Sequence, residues 1–138
     1  MEYRVYGQDV VVRMDRGEEI LDCIRQVCEK EHILLGSVSG IGAIGEVTLG
    51  VFNREKFIYE KRDYTGDMEI GNISTMKGKN YLHIHMVVGN VTRDFCCGGH
   101  LNRAVISLTG EFVIHKIAGE VDRAYSSEIG LNLYRFVD

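Results

Sequence analysis

Gly40-Ile41-Gly42-Ala43-Ile44-Gly45-Glu46-Val47-Thr48-Leu49-Gly50-Val51-Phe52 is the stretch on which the fold turns. Its opening satisfies Gly-x-Gly-x-x-Gly, the dinucleotide-binding pattern, which would place the chain among doubly wound α/β folds. That pattern grips a pyrophosphate only when a helix N-terminus follows to receive it. Here the residues after Gly45 alternate as a strand does, with Val47, Leu49 and Val51 at every second position. The glycines are therefore read as a glycine-lined bend between this strand and an apolar one spanning Ile33 to Ser39, and no nucleotide is expected.

Working outward, Tyr3 to Met14 reads as one strand, with Val10-Val11-Val12 marking burial. Asp15 and Glu18 have the spacing of a capping box with Asp in the capping role, and a helix runs on to about Glu31. Ile20, Leu21, Ile24, Val27 and Cys28 form its apolar stripe, which is core, while Glu19, Asp22, Arg25, Gln26 and Glu29 face solvent. On the other side, Asn53 to Glu55 makes a turn, Lys56 to Tyr64 a surface strand, and Thr65-Gly66-Asp67 a second turn. Met68 to Met76 and Tyr81 to Val88 form a hairpin through Lys77-Gly78-Lys79-Asn80. Ala104 to Ile117 is a strand with a bulge at Gly110, Ala118 to Gly130 is polar, and Leu131 to Val137 is the last strand. About seven strands, one main helix and no regular strand-helix alternation predict a single compact α+β domain over residues 1–138, built on a mostly antiparallel sheet.

Chemistry concentrates in the histidine strand. Leu82, Ile84, Met86 and Val88 share one face, so His83 and His85 share the other, roughly 7 Å apart at their Cα atoms by strand rise. His100 follows on Gly98-Gly99, read as a flexible turn. Three imidazoles are the ligand set of a catalytic zinc site with its fourth position open. The competing reading is a polar stripe on a half-exposed strand plus a turn histidine. A zinc enzyme also needs a carboxylate to move protons and a cation for a substrate's charge, for which Glu69, Glu111 and Arg103 are the candidates. Solvated or ion-paired side chains are the alternative for the two acids. His32 and His115 stand alone and read as surface or hydrogen-bonded histidines.

The order of Ser39-Gly40-Ile41-Gly42-Ala43, Glu69-Ile70, Gly78, His83-Ile84-His85, Gly98-Gly99-His100-Leu101 and Gly110-Glu111-Phe112-Val113-Ile114 resembles that of the plants and prokaryotes conserved (PPC) domain. The resemblance implies a compact α+β domain that assembles as a homotrimer. It also implies a fold similar to acetolactate decarboxylase, a zinc enzyme with a His-x-His plus His site, and hence zinc, a small anionic ligand and a zinc-dependent, lyase-like activity. In plants the domain follows a DNA-binding AT-hook, and a Gly-Arg-Phe-Glu-Ile-Leu segment docks partners. Here that segment reads Gly66-Asp67-Met68-Glu69-Ile70-Gly71, keeping only Gly66, Glu69 and Ile70. The alternative role is a DNA-associated or regulatory protein-interaction scaffold without the hook, whose Arg-Gly-Arg-Pro core is excluded from a chain with no proline.

Composition narrows the partners. Sixteen basic against twenty acidic residues give a net charge of −4, and Arg54, Lys56, Lys61 and Arg62 alternate with Glu55, Glu60 and Asp63. Without a basic patch the phosphate contribution is missing, so direct DNA binding is expected to be weak. No apolar run is long enough to span a membrane and Met1-Glu2-Tyr3-Arg4 is no signal peptide, so a cytoplasmic location is expected. Cys23 and Cys28 point in different directions on the helix and Cys96 and Cys97 are adjacent, so free thiols are expected. Cys96 and Cys97 are read as small buried side chains, with an extra soft ligand beside His100 or a reactive thiol as the alternatives.

Overall fold

Alternation of apolar and polar side chains carries most of this chain into strands. The computed structural model describes residues 1–78 and 81–136. Its elements are β1 (Glu2–Tyr6), β2 (Asp9–Asp15), α1 (Ile20–Lys30), β3 (Gly36–Asn53), β4 (Ile58–Gly78), β5 (Tyr81–Asn90), β6 (Phe95–Lys116), β7 (Val121–Ser126) and β8 (Leu131–Phe136). Six strands form one antiparallel sheet in the order β1-β2-β6-β3-β4-β5. β5 pairs with β6 as well as with β4, so the sheet closes on itself. β7 and β8 form a separate hairpin. The expected α+β class, with one helix on a mostly antiparallel sheet, is what the chain adopts.

The core lies inside the curl of the sheet and under α1, whose Ile20, Cys23, Ile24, Val27 and Cys28 are buried. Ile44, Ile84, Met86, Ile106 and Phe112 are almost wholly shielded from the sheet side. Each such side chain contributes roughly 1.5–3 kcal/mol by leaving water. The helix starts later than its capping box. Glu19 is the N-cap, its Oε2 accepting from the Asp22 N–H at 2.8 Å, while Asp15 and Glu18 close a turn ahead of it. Nor does Glu19 simply face solvent, because its Oε1 accepts from the Ala104 N–H at 2.9 Å and ties the helix to β6.

Four expected features of the strands differ in the structure. Tyr3 to Met14 is two strands, since Tyr6 pairs with Asp9 across a tight turn at Gly7-Gln8. Conversely, the glycine stretch Gly40 to Gly45 does not separate two strands. It lies inside β3, with register shifts on both sides of Ile44 that bend the strand without ending it. Thr65-Gly66-Asp67 likewise lies inside β4: Ile44 faces Met68 and Glu46 faces Thr65, so one surplus residue bulges outward. The bulge expected at Gly110 falls just before it. β6 advances from Ile106 to Gly110 while β3 moves only from Ile44 to Gly42. The β4–β5 hairpin is in register to Gly78 and Tyr81; Lys79 and Asn80, like Val137, lie outside the described residues. Among the described residues, no helix is long and apolar enough to cross a membrane.

Candidate metal centre

The period of a strand places the first two candidate ligands. In β5, Ile84, Met86 and Val88 enter the core, which turns His83 and His85 to the opposite face. The third comes from β6, where His100 sits directly across from His85 in the antiparallel register. His100 is thus a strand residue, not a turn residue. The preceding glycines serve close approach: a Cβ at Gly99 would lie 2.8 Å from the Gly50 carbonyl oxygen of β3. With β3 on one side and β5 on the other, only a bare backbone passes. Gly50 in turn leaves space for the Tyr59 ring, which stands edge-on to His100 at 5.9 Å and accepts from Asn102 at its hydroxyl, 2.8 Å away.

The three rings converge. Their centroids are 4.9 to 5.5 Å apart, and one ring nitrogen from each lies within 4.8 Å of the other two. Nε2 of His83 and Nε2 of His85 are 3.2 Å apart. Tetrahedral zinc with bonds of about 2.0–2.1 Å would set its nitrogens about 3.3 Å apart, a spacing the His83–His85 pair already has. Protonation favours the same use. Burial, then the nearby charge of Arg123, pushes His83 down to about 4 from its ordinary 6.5. Burial foremost, then His85 and Arg123, lowers His100 also. Both rings are therefore neutral at pH 7, the form that binds metal.

A cavity of about 820 Å³ opens over the histidines, and Tyr59, Tyr81, Arg123, Leu131 and Asn132 are among its walls. Arg123 of β7 is held over Tyr81 at 4.6 Å and over Tyr134 at 5.4 Å from the ring centroids, and it donates to the Asn132 carbonyl at 2.7 Å. Nothing in its own stretch marks it as functional, since its partners lie on β5 and β8.

The other candidates stand apart. Glu69 is exposed on β4 and lines a different cavity. Glu111 is exposed on the far half of β6, opposite Arg13 and Ile41. Arg103 is exposed and pairs with Glu46 at 2.5 Å. None of the three lines the histidine cavity. No disulfide joins the cysteines among the described residues; Cys96 is exposed and Cys97 half-buried, so the expectation that both are buried fails, because neighbours on a strand point to opposite faces. His115 is hydrogen-bonded to Asp9 at 2.8 Å, and neither it nor His32 joins the cluster.

The sequence pattern of the Plants and Prokaryotes Conserved domain matches residues 1–118. The chain belongs to that family. A Bacteroides thetaiotaomicron protein, provisionally named as DNA-binding, is 34% identical with a TM-score of 0.92, over 98% of this chain and 96% of its own. A metal-containing protein from Archaeoglobus fulgidus is 28% identical, TM-score 0.84, over 97% and 96%. A plant- and prokaryote-conserved protein from Pyrococcus horikoshii is 25% identical, TM-score 0.80, over 99% and 96%. No curated protein matches the chain. The family match ends before β7, so Arg123 lies outside the domain pattern that contains the histidines.

Proposed function

We propose that this domain is a homotrimeric, cytoplasmic metal-binding protein in which His83, His85 and His100 hold one zinc ion and leave a position for a small anionic ligand. The observation that carries the reading is the convergence of three ring nitrogens from two paired strands, two of the rings kept neutral by their surroundings. The Archaeoglobus relative's name as a metal-containing protein points the same way. When bound, zinc would supply a Lewis acid. The chain's own contribution is to orient the ligand rings on rigid strands and to place a guanidinium at the cavity wall. Trimer formation is supported by family membership and by exposed apolar side chains such as Tyr125, Ile129 and Phe136, which a monomer leaves in water. Free thiols agree with a reducing compartment.

Protein purified without chelator and offered zinc should contain one ion per chain by elemental analysis and scatter light as three times 15.6 kDa. Metal-free protein after that treatment removes the metal centre; a monomer mass at micromolar concentration removes the trimer.

A second reading, a DNA-associated scaffold, is favoured by the Bacteroides relative's provisional name. The net charge of −4 opposes it for the chain acting alone. Steeply salt-dependent duplex retention by metal-free protein would support the scaffold over the metal centre.

A further inference from the structure

The histidine cavity is lopsided in charge. Among the described residues no aspartate or glutamate lines it, and its one charged wall residue is Arg123. Arginines at surfaces commonly meet a carboxylate, yet among the described residues no acid pairs with this one. The neighbouring Asp122 carboxylate turns instead to Arg135 at 3.1 Å and to the Arg123 backbone N–H at 2.8 Å. The guanidinium is nonetheless fixed by the Tyr81 and Tyr134 rings and by the Asn132 carbonyl. Its Nε–H is buried with no acceptor. A buried charged donor left without a partner is costly, and such groups in native folds call for an explanation. A ligand anion would offset that cost by its charge, and Nη1, which no described residue engages in a hydrogen bond, is the atom left to donate to it.

The remaining walls limit what carries that charge. Val51, Phe52, Tyr59 and Leu131 offer apolar surface, and the volume of about 820 Å³ falls in the roughly 300–1,000 Å³ range of small-molecule sites. Phosphate sites gather several donors, typically with a helix N-terminus. Here α1 contributes no residue to the cavity, and Asn102 already donates to the Tyr59 hydroxyl and the His100 carbonyl. One planar cation, a few apolar walls and a metal position suit a planar singly charged group on an apolar body.

We propose that the cavity takes an apolar or aromatic monocarboxylate and that Arg123 selects its charge, gripping the carboxylate from the β7–β8 hairpin while the histidine-held metal offers a second point of attachment. This deepens the metal-and-anion reading and rests on it for that second point only. The hairpin then sets what the site accepts, and the β5–β6 pair sets what metal it holds.

The test is calorimetric titration of benzoate, its uncharged isostere benzamide, and inorganic phosphate into zinc-loaded and zinc-free protein, as wild type, Arg123→Gln and Arg123→Lys. Zinc-loaded wild type should bind benzoate at least tenfold tighter than benzamide or phosphate. Arg123→Gln should lose that tenfold preference while still holding one zinc per chain, and Arg123→Lys should retain part of it. Unchanged benzoate binding in Arg123→Gln, a preference for phosphate, or no benzoate binding in either zinc state overturns the proposal. Should Arg123→Gln fail to fold, the wild-type benzoate-to-benzamide ratio and the lysine variant decide. Protein that takes no zinc yet prefers benzoate through Arg123 overturns the metal centre alone; protein that takes zinc but shows no such preference overturns the selector alone.

Discussion

Two regions meet at the cavity and are built differently. The β5–β6 pair carries the histidines on strands whose opposite faces are core, with Ile84 and Met86 each 1% exposed and Leu101 3%. The β7–β8 hairpin carries Arg123 but commits only Val121 to burial, and all six residues of β8 are exposed. Atoms that must sit within a few tenths of an ångström of a metal are thus fixed by packing on both sides of a strand. A residue that only has to present charge rides on an element with little core of its own. The difference implies that the proposed metal binding and ligand choice are separable, so that each half should break alone.

The largest effect is expected at the histidines. Replacing His83, His85 or His100 by Ala leaves two nitrogens, and zinc affinity should fall by more than the roughly 10–100-fold that loss of an outer-shell partner causes. His32→Ala and His115→Ala should leave it unchanged, since neither ring joins the cluster. Arg123→Gln should leave it unchanged or slightly raised, because a positive charge near the cation is removed. Competition against a chromophoric chelator at pH 7 measures all of these. If Arg123→Gln loses zinc as a histidine variant does, the two regions are one unit and the comparison fails.

Stability sharpens the contrast. Ile84→Ala empties a fully packed position behind the histidines and should lower unfolding free energy by roughly 2–5 kcal/mol. Gly99→Ala forces a Cβ against the Gly50 carbonyl and should remove roughly 1–3 kcal/mol while also disturbing His100. In the hairpin, Arg135→Ala breaks an exposed pair with Asp122 and should change stability by no more than about 1 kcal/mol. Urea denaturation of the metal-free protein gives the three values, and equal losses would deny that the regions differ in rigidity.

What was legible in the chain follows the reach of each signal. His83-Ile84-His85 could be read because a strand's two-residue period is local, and the family order of motifs led to the same cluster. The strand under His100 could not, because Gly98-Gly99 looks like a turn until the Gly50 backbone is known to lie against it. Thr65-Gly66-Asp67 has turn chemistry too, yet the neighbouring strand continues past it and makes it a bulge. Arg103 was the candidate cation and Arg123 is the one at the cavity, a choice that depends on which strand ends beside which. Glu19 looked solvated by helical period, but its partner is an amide of β6. Local periodicity finds faces, and only the closure of the sheet decides what the faces meet.

A smaller effect concerns pH. His83 in the metal-free fold titrates near 4 and the unfolded chain near 6.5, so between those values the unfolded state binds a proton that the fold refuses. Stability contributed by neutral His83 is complete above about pH 6.5 and is lost as pH falls toward 4. His100, lowered in the same direction, adds to the slope. Nuclear magnetic resonance should place the His83 midpoint well below that of a free histidine, and urea midpoints should fall from pH 7 to pH 5. A His83 midpoint near 6.5 would mean that the ring is more open to water than its burial in the β5–β6 pair implies.

The smallest effect belongs to Arg103. It lies on the same strand as His100 and was chosen from the sequence as the cation for a substrate, yet its guanidinium pairs with Glu46 on the exposed side of the sheet. Both partners are about half exposed, so water screens the pair, and its loss should leave stability nearly unchanged. Arg103→Ala should therefore leave zinc content at one per chain and benzoate affinity at the wild-type value, in the titrations that expose Arg123→Gln. The two arginines make a matched pair, alike in chemistry and opposite in placement. If Arg103→Ala also abolished the preference for benzoate, charge on β6 would govern ligand choice after all, and the division of labour between the β5–β6 pair and the hairpin would have to be abandoned.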